Sequence, residues 1–369
     1  MLYNDIKQVL PAFNFAGRYH EVEELHSGII NNTYHLVYVL PGGGAAHYTL
    51  QHINGYVFKD PEAVMRNIER VTTHLAESLR ADGIDPKRRV LTLIPTHAGT
   101  AFCRDQEGGF WRAYEFIDGA TAYDQMTNPA HFREAGRAFG EFQKRLCDFP
   151  VAQLTETIPD FHHSTKRFYR FVESLAADRA GRAEGAEAEI DQIFAHRKML
   201  GSIVQLMKTG VLPVRVTHND TKINNVMIDD STSRALCVID LDTVMPGSSL
   251  YDFGDAIRFG ASTAAEDEED PAKISLDMAK FRLFTEGFLS ETNGFLSEME
   301  LRRLPLGVKV ITCELAMRFL TDYLDGDLYF KVRDPEHNLI RARAQLRLLR
   351  DVEEKESEMA RIVEDLMGK

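Results

Sequence analysis

Apolar and polar residues alternate along the first third of the chain, and the alternation predicts strands. His35–Leu40 (HLVYVL) and His47–Ile53 (HYTLQHI) flank the turn Pro41-Gly42-Gly43-Gly44 and read as a hairpin. A helix follows, with Asp60 as its cap, Pro61 in its first turn and Gly83 beyond its end. Val64, Ile68, Val71, Leu75 and Leu79 place one apolar stripe along it. Val90–Ile94 (VLTLI), Ala101–Asp105 (AFCRD) and Phe110–Ile117 (FWRAYEFI) then supply three more strands, the last two joined by the turn QEGG. Five strands and one helix thus make a small lobe over residues 1–118.

The period changes after Ile117-Asp118-Gly119. Asn128-Pro129 caps a helix with Phe132, Ala135, Phe139 and Leu146 on one face. FYRFVESLAAD (168–178) and residues 186–207 read as two more helices, Pro305–Tyr323 as a buried one, and Asp334-Pro335 as the start of a last one carrying Leu339, Leu346, Leu349 and Val352. The expected fold is therefore α+β, with a β-rich lobe at 1–118 and a mainly helical lobe at 119–369.

One strand pair interrupts the helical lobe. Val226–Ile228 and Leu236–Ile239 are β-branched runs separated by the turn formers DDSTSR. Antiparallel pairing sets the start of the first strand beside the end of the second, so Asn225 meets Asp240. Asp220 lies five residues before Asn225, in the loop feeding the hairpin. Oxygen donors for a hard cation such as Mg²⁺ thus gather at one end of a rigid scaffold, and Asp242 joins the candidate set. A second aspartate, Asp252, heads a literal DFG but lies beyond the turn MPGSS (245–249), outside the hairpin. It is expected to brace structure. The run EDEED (266–270) reads as a solvated loop.

Composition narrows the partners. With 44% hydrophobic and 27% charged residues in a chain of 369, the protein reads as an ordinary globular one. A net charge of −13 argues against nucleic acid or an anionic membrane surface, while a few local cations could still hold ATP. Cys103, Cys147, Cys237 and Cys313 are far apart and lack metal-binding spacing; Cys237 and Cys313 sit in apolar runs, so buried thiols in a reducing cytoplasm are expected rather than disulfides or zinc. MLYNDIKQVL has no basic flank or apolar core of a leader, and no run reaches membrane length. A cytoplasmic protein is the expectation, and no protein partner is inferred.

The loop His218-x-Asp220-x-Lys222-x-x-Asn225 resembles the catalytic loop of the protein-kinase superfamily. The resemblance implies Asp220 as base, Lys222 directed at the transferred phosphate, and Asn225, Asp240 and Asp242 around the metal. Asn219 replaces the arginine of that loop, as in its small-molecule branch of aminoglycoside, choline and homoserine kinases. Longer strings are similar to N-acetylhexosamine 1-kinases of gut bacteria: MRNIERVT, FREAGRAFGEFQ, RVTHNDTKINN, VIDLDTVMPGSSLYDFGDAIRFGAST, FLTDYLDGDLYF and PEHNLIRAR. They span nearly the whole chain. They imply a two-lobed kinase-like fold that takes ATP and Mg²⁺ and phosphorylates the anomeric hydroxyl of N-acetylglucosamine or N-acetylgalactosamine.

The same resemblance places nucleotide contacts at the turn HSGIINNTY (Gly28, Asn32), at Gln51 and at a hinge of Glu115, Phe116 and Ile117. The turn lacks GxGxxG, and Gln51 stands where the superfamily has a strand lysine, so a binding protein without catalysis is a competing reading. For the sugar, Arg318, Asp322, Tyr329, Asn219 and Thr221 are the candidates, with His218 as a buried anchor. Arg318 and Asp322 are four apart and share a helix face, so an internal ion pair competes with a ligand role. A cationic acceptor such as an aminoglycoside or choline is the alternative substrate.

Overall fold

Strand-forming alternation does build a sheet at the N-terminal end, though its membership differs from the apolar pattern. The computed structural model describes residues 2–25, 30–123 and 128–368. After helix α1 (Leu2–Val9) come β1 (Arg18–Leu25), β2 (Asn32–Val39), β3 (Ala45–Ile53), α2 (Pro61–Ala81), β4 (Cys103–Arg104) and β5 (Phe110–Glu115). The strands form one antiparallel sheet in the order β1-β2-β3-β5-β4. Sequence reading missed β1, whose RYHEVEEL is largely polar and exposed. Charges suit an edge strand, where they discourage pairing with another chain. VLTLI in turn yields only a bridge, Leu93 to Tyr114, on the edge of β5 that β4 also uses. Pro95, which has no N–H to give, follows it directly.

Alternation along these strands gives the sheet two faces. Tyr34, Leu36, Tyr38, Tyr48, Leu50, Trp111 and Ala113 pack with Ile6 and Val9 in one core. Their intervening neighbours, Thr33, His35, His47, Gln51 and Arg112, belong to the other face. α2 has the expected stripe and cap, with Asp60 accepting from the Ala63 N–H at 2.9 Å. Its core reaches Phe142 and Leu146 and then Val216, Leu241 and Val244 in the helical part. Asn67 ties it there, donating to the carbonyls of Thr155 (2.8 Å) and Val244 (3.1 Å).

Beyond Ile117 the chain adds β6 (Ala120–Ala122), α3 (Pro129–Arg145), α4 (Ser164–Ala177), α5 (Glu187–Ala195), α6 (Arg197–Leu200), α7 (Ser202–Lys208), β7 (Arg215–Thr217), β8 (Val226–Asp229), β9 (Ala235–Val238), β10 (Met245–Gly247), α8 (Ser249–Gly260), α9 (Met278–Thr292), α10 (Glu298–Leu301), α11 (Leu304–Asp325), α12 (His337–Glu354) and α13 (Glu356–Met367). A small antiparallel-sheet lobe and a large helical lobe result, as the pattern predicts. The single helix expected over 186–207 breaks into α5, α6 and α7. EDEED is not simply solvated: Glu266 accepts from buried Arg258 at 2.5 Å, and Arg333 pairs with Asp267 (3.3 Å) and Glu269 (2.9 Å). Partners lying eight and more than sixty residues away hold that run down.

α3 and α9 cross closely because glycines meet backbone. A Cβ on Gly287 would stand 2.0 Å from the Arg133 carbonyl oxygen, and one on Gly136 would stand 2.2 Å from that of Phe284. Gly287→Ala is expected to destabilise the protein by about 1–3 kcal/mol, the usual range for overpacking. Thermal melting checks this, with an unchanged midpoint as the contrary result.

Candidate active site

β8 and β9 form the expected antiparallel hairpin, with a bulge between Met227 and Ile228. Val226 faces Val238, and the Ile239 N–H donates to the Asn225 carbonyl at 2.9 Å, so Asn225 lies beside Asp240. Asp240 takes a left-handed backbone (φ 60°), a conformation that aspartate tolerates better than most residues. Asp240 is exposed to solvent. The protein packed around it pushes its carboxyl up to about 7, and the nearby charges of Asp242 and Asp220 add to the rise. Like charges this close favour a proton or a cation.

Asp252 holds the loop from below. Its Oδ2 accepts the His218 N–H (3.0 Å) and the Gln143 Nε2 (2.8 Å), while Oδ1 accepts the Asn219 N–H (2.8 Å). The literal DFG thus supplies a buried brace. His218 is an anchor, fully buried, with Nε2 2.9 Å from the Ile239 carbonyl and its ring edge-on to Phe139 and Phe142.

Asp220 is half-buried, and its carboxylate meets Lys222 Nζ at 3.2 Å. Burial pushes its carboxyl upward, but Lys222 and then His218 outweigh that and hold it below the ordinary range. Asp220 in turn raises Lys222. The Asn225 Nδ2 donates to the Asp220 carbonyl at 2.8 Å, which leaves Oδ1 as the atom available to a cation.

Asp242 is 3% exposed, with Oδ1 paired to Arg112 and Oδ2 accepting from Asn31 Nδ2 at 2.6 Å, so both oxygens are engaged. The expected ligands therefore reduce to Asp240 and Asn225. Among the described residues no group of three or more His, Cys, Asp or Glu side chains could hold a metal ion. A carboxylate and a carboxamide do fit Mg²⁺ if the remaining oxygens come from water and nucleotide phosphates, as is usual for that ion.

Several expected contacts turn inward. Asn219 gives its Nδ2 to the carbonyls of Thr243 (2.9 Å) and Thr217 (3.2 Å), and its Oδ1 accepts from Thr217 Oγ1 (2.9 Å). Thr221, fully buried, donates to the Asp252 carbonyl at 2.5 Å. Neither side chain is brought to the cleft. Gln51 bridges Thr33 Oγ1 (3.0 Å) and Arg112 Nε (2.9 Å) within the sheet. At the hinge, Glu115 donates its N–H to the Thr92 carbonyl (2.9 Å) and Phe116 to that of His47 (3.1 Å), so of these three N–H groups that of Ile117 is left without a backbone partner among the described residues. Gly28 lies outside the described residues. Asn32 opens β2 at an exposed position, and its neighbour Asn31 makes the cross-lobe contact.

On the acceptor side, His162 links the loop to α11. Its Nε2 is 3.3 Å from the Asn219 carbonyl and its Nδ1 2.8 Å from Glu314. One residue before it, the Phe161 ring receives the guanidiniums of Arg318 (5.1 Å) and Arg167 (5.7 Å). Arg318 also lies over Tyr329 (5.8 Å) and Phe330 (5.6 Å). Asp322 does not pair with it. Its two oxygens accept the N–H groups of Leu328, Tyr329 and Phe330 at 2.8–2.9 Å and the Asn338 Nδ2 at 2.9 Å, shaping the loop that presents Tyr329. Neither sequence reading of Asp322, ligand or ion-pair partner, matches this placement. Arg167 escaped sequence reading, since nothing in STKRFYRF separates it from a surface arginine. Burial and then the Arg318 charge lower it to about 10, with Glu314 3.9 Å away.

A model of the phosphotransferase enzyme family matches residues 21–282. Among solved structures the chain is similar to a microcompartment-associated aminopropanol kinase, at 16% identity and a TM-score of 0.61, covering 97% of this chain and 98% of that one. It is similar also to a spectinomycin phosphotransferase in complex with ADP and spectinomycin (14% identity, TM-score 0.54, 98% of each chain). A third is an amicoumacin kinase bound to AMP-PNP and Ca²⁺ (14%, TM-score 0.57, 95% of this chain and 92% of that one). At such identities the likeness is one of fold. Among the described residues no helix is long and apolar enough to cross a membrane.

Proposed function

The chain belongs to the phosphotransferase enzyme family, and from that premise we propose that it transfers the γ-phosphate of ATP to the anomeric hydroxyl of an N-acetylhexosamine. The observation that carries the choice of acceptor is the Arg167–Arg318 pair beside the catalytic loop. A cationic acceptor calls for carboxylates, yet two guanidiniums meet at Phe161, and Glu314 is already engaged by His162 and by Ser164 Oγ at 2.6 Å. A neutral sugar with hydroxyl and amide oxygens suits such donors. Tyr329, half-exposed beside Arg318, offers a ring against the pyranose. The extended similarity of strings to N-acetylhexosamine 1-kinases supports the same acceptor.

In the reaction, Asp220 enters ionised and hydrogen-bonds the anomeric hydroxyl. As the sugar oxygen bonds to the γ-phosphorus and the bond to ADP breaks, the hydroxyl proton passes to Asp220. An anomeric hydroxyl is more acidic than an ordinary alcohol, so a low-pKa base suffices. Lys222 donates to the phosphoryl group in transit and offsets its charge. Bound Mg²⁺, held by Asp240 and Asn225, would neutralise the β- and γ-phosphates.

Arg318→Ala tests the acceptor assignment. Loss of one charged hydrogen bond, about 1.5–3 kcal/mol, should lower kcat/KM for the sugar about ten- to a hundredfold. The KM for ATP and the melting midpoint should stay near their original values. A panel of N-acetylglucosamine, N-acetylgalactosamine, choline and an aminoglycoside, scored for ATP consumption, completes it. Turnover confined to the cationic acceptors would remove the sugar reading, and no acceptor-dependent turnover would favour the binding protein.

A further inference from the structure

The chain lacks the strand lysine of its superfamily, yet a cation is present one strand away. β3 and β5 pair in register with Gln51 opposite Arg112, so both side chains share one face of the sheet. Thr33 holds Gln51 by its Nε2, and the Gln51 Oε1 takes the Arg112 Nε at 2.9 Å. That clamp aims the guanidinium across the lobes, where Nη1 pairs with Asp242 Oδ1. Arg112 is 1% and Asp242 3% exposed.

We propose that Arg112 is a positioning residue that replaces the missing strand lysine: from inside the sheet it holds Asp242, and through it the turn that presents Asp240 to the nucleotide's metal-bound phosphates. This rests on the phosphotransferase reading but not on which alcohol is the acceptor.

Three features carry the inference. Asp220, Asp240 and Asp242 gather at one end of the hairpin, and without a compensating cation their repulsion would splay the turn. Burying two charges costs desolvation that their attraction barely returns, so a buried pair is a poor device for stability alone and a good one for fixing geometry. Asp242 also accepts from Asn31, in the small-lobe turn just before β2, and its carbonyl accepts from Thr157 Oγ1 at 3.3 Å. One carboxylate therefore joins that turn and the small-lobe sheet to the metal turn. Because Arg112 is enclosed, it supports the phosphates' site without touching them, and Gln51 serves as its buttress rather than as a weakened phosphate donor.

The test measures binding of ADP with Mg²⁺ by calorimetry, together with melting, on the full chain. Arg112→Gln alone would leave Asp242 buried and unpaired, so the decisive variant is Arg112→Gln/Asp242→Asn, which removes both charges. It is expected to melt near the original midpoint but to bind Mg·ADP about ten- to a hundredfold more weakly, the range for losing an outer partner that orients a metal ligand. Restored melting with original Mg·ADP affinity overturns the proposal, because the pair would then be structural only. Should the double variant not fold, Arg112→Lys decides. Lysine keeps the charge but cannot hold Gln51 and Asp242 together, so binding should weaken several-fold, and unchanged affinity overturns the proposal. Intact Mg·ADP binding without sugar turnover would count against the sugar acceptor and leave this inference standing.

Discussion

Asp220→Asn should bind sugar and nucleotide with near-original affinity and lose kcat by about 10²–10⁴-fold, the contribution of a positioned general base. The substitution keeps the side chain's size, and the shorter Asn225 contact (2.8 Å) runs to the backbone carbonyl of residue 220, which does not change, while only the 3.5 Å contact of that amide to Oδ2 is altered. What disappears is the proton acceptor at Oδ and the anionic partner of Lys222 at 3.2 Å. Lys222, whose pKa Asp220 raises, would relax toward its ordinary value but remain a cation at neutral pH. The loss should therefore fall on kcat, with little change in either KM. Steady-state kinetics with calorimetric binding of both ligands measures this, and a kcat within a few-fold of the original would take Asp220 out of the role.

A contrast between two aspartates should be almost as large. Asp240→Asn is expected to lower kcat/KM by on the order of a hundredfold and to raise the Mg²⁺ concentration needed, since it removes the charged donor facing the phosphates. Its folded stability should hold or improve slightly, because the surrounding protein and then the neighbouring carboxylates already disfavour a charge at that position. Asp252→Asn should do the reverse. Two backbone N–H groups and Gln143 converge on that buried carboxylate, and an amide can accept through only one of its atoms. A stability loss of about 1–3 kcal/mol follows, the size expected when a buried N–H is left without its acceptor. Its Mg²⁺ dependence should be unaltered in the folded fraction. Magnesium titrations and melting curves on both variants separate the roles, and a metal defect at Asp252 would contradict the hairpin argument.

Local spacing carried the legible part of this site. The β-branched runs Val226–Ile228 and Leu236–Ile239, with turn formers between, predict a hairpin, and antiparallel pairing then brings Asn225 beside Asp240. The stripe from Val64 to Leu79 and the cap at Asp60 likewise define α2 from within. Contacts set by distant residues were not legible. Arg112 and Asp242 are 130 positions apart, and Asn31 and Asp242 are 211 apart. No periodicity indicates that Asp242 faces a guanidinium rather than a metal. Asp322 misled for a similar reason: the four-residue spacing to Arg318 is real, but the loop at 328–330 offers three N–H groups that no helical rule anticipates. Strand β1 was hidden because an edge strand needs hydrogen bonds on one side only and can be polar throughout.

The most direct test is the identity of the phosphorylated product. The protein incubated with Mg·ATP and N-acetylglucosamine or N-acetylgalactosamine should consume ATP in step with sugar, and phosphorus NMR should show phosphate coupled to the anomeric proton. Phosphate on any other hydroxyl, or ATP consumption that only a choline or aminoglycoside acceptor elicits, would contradict it.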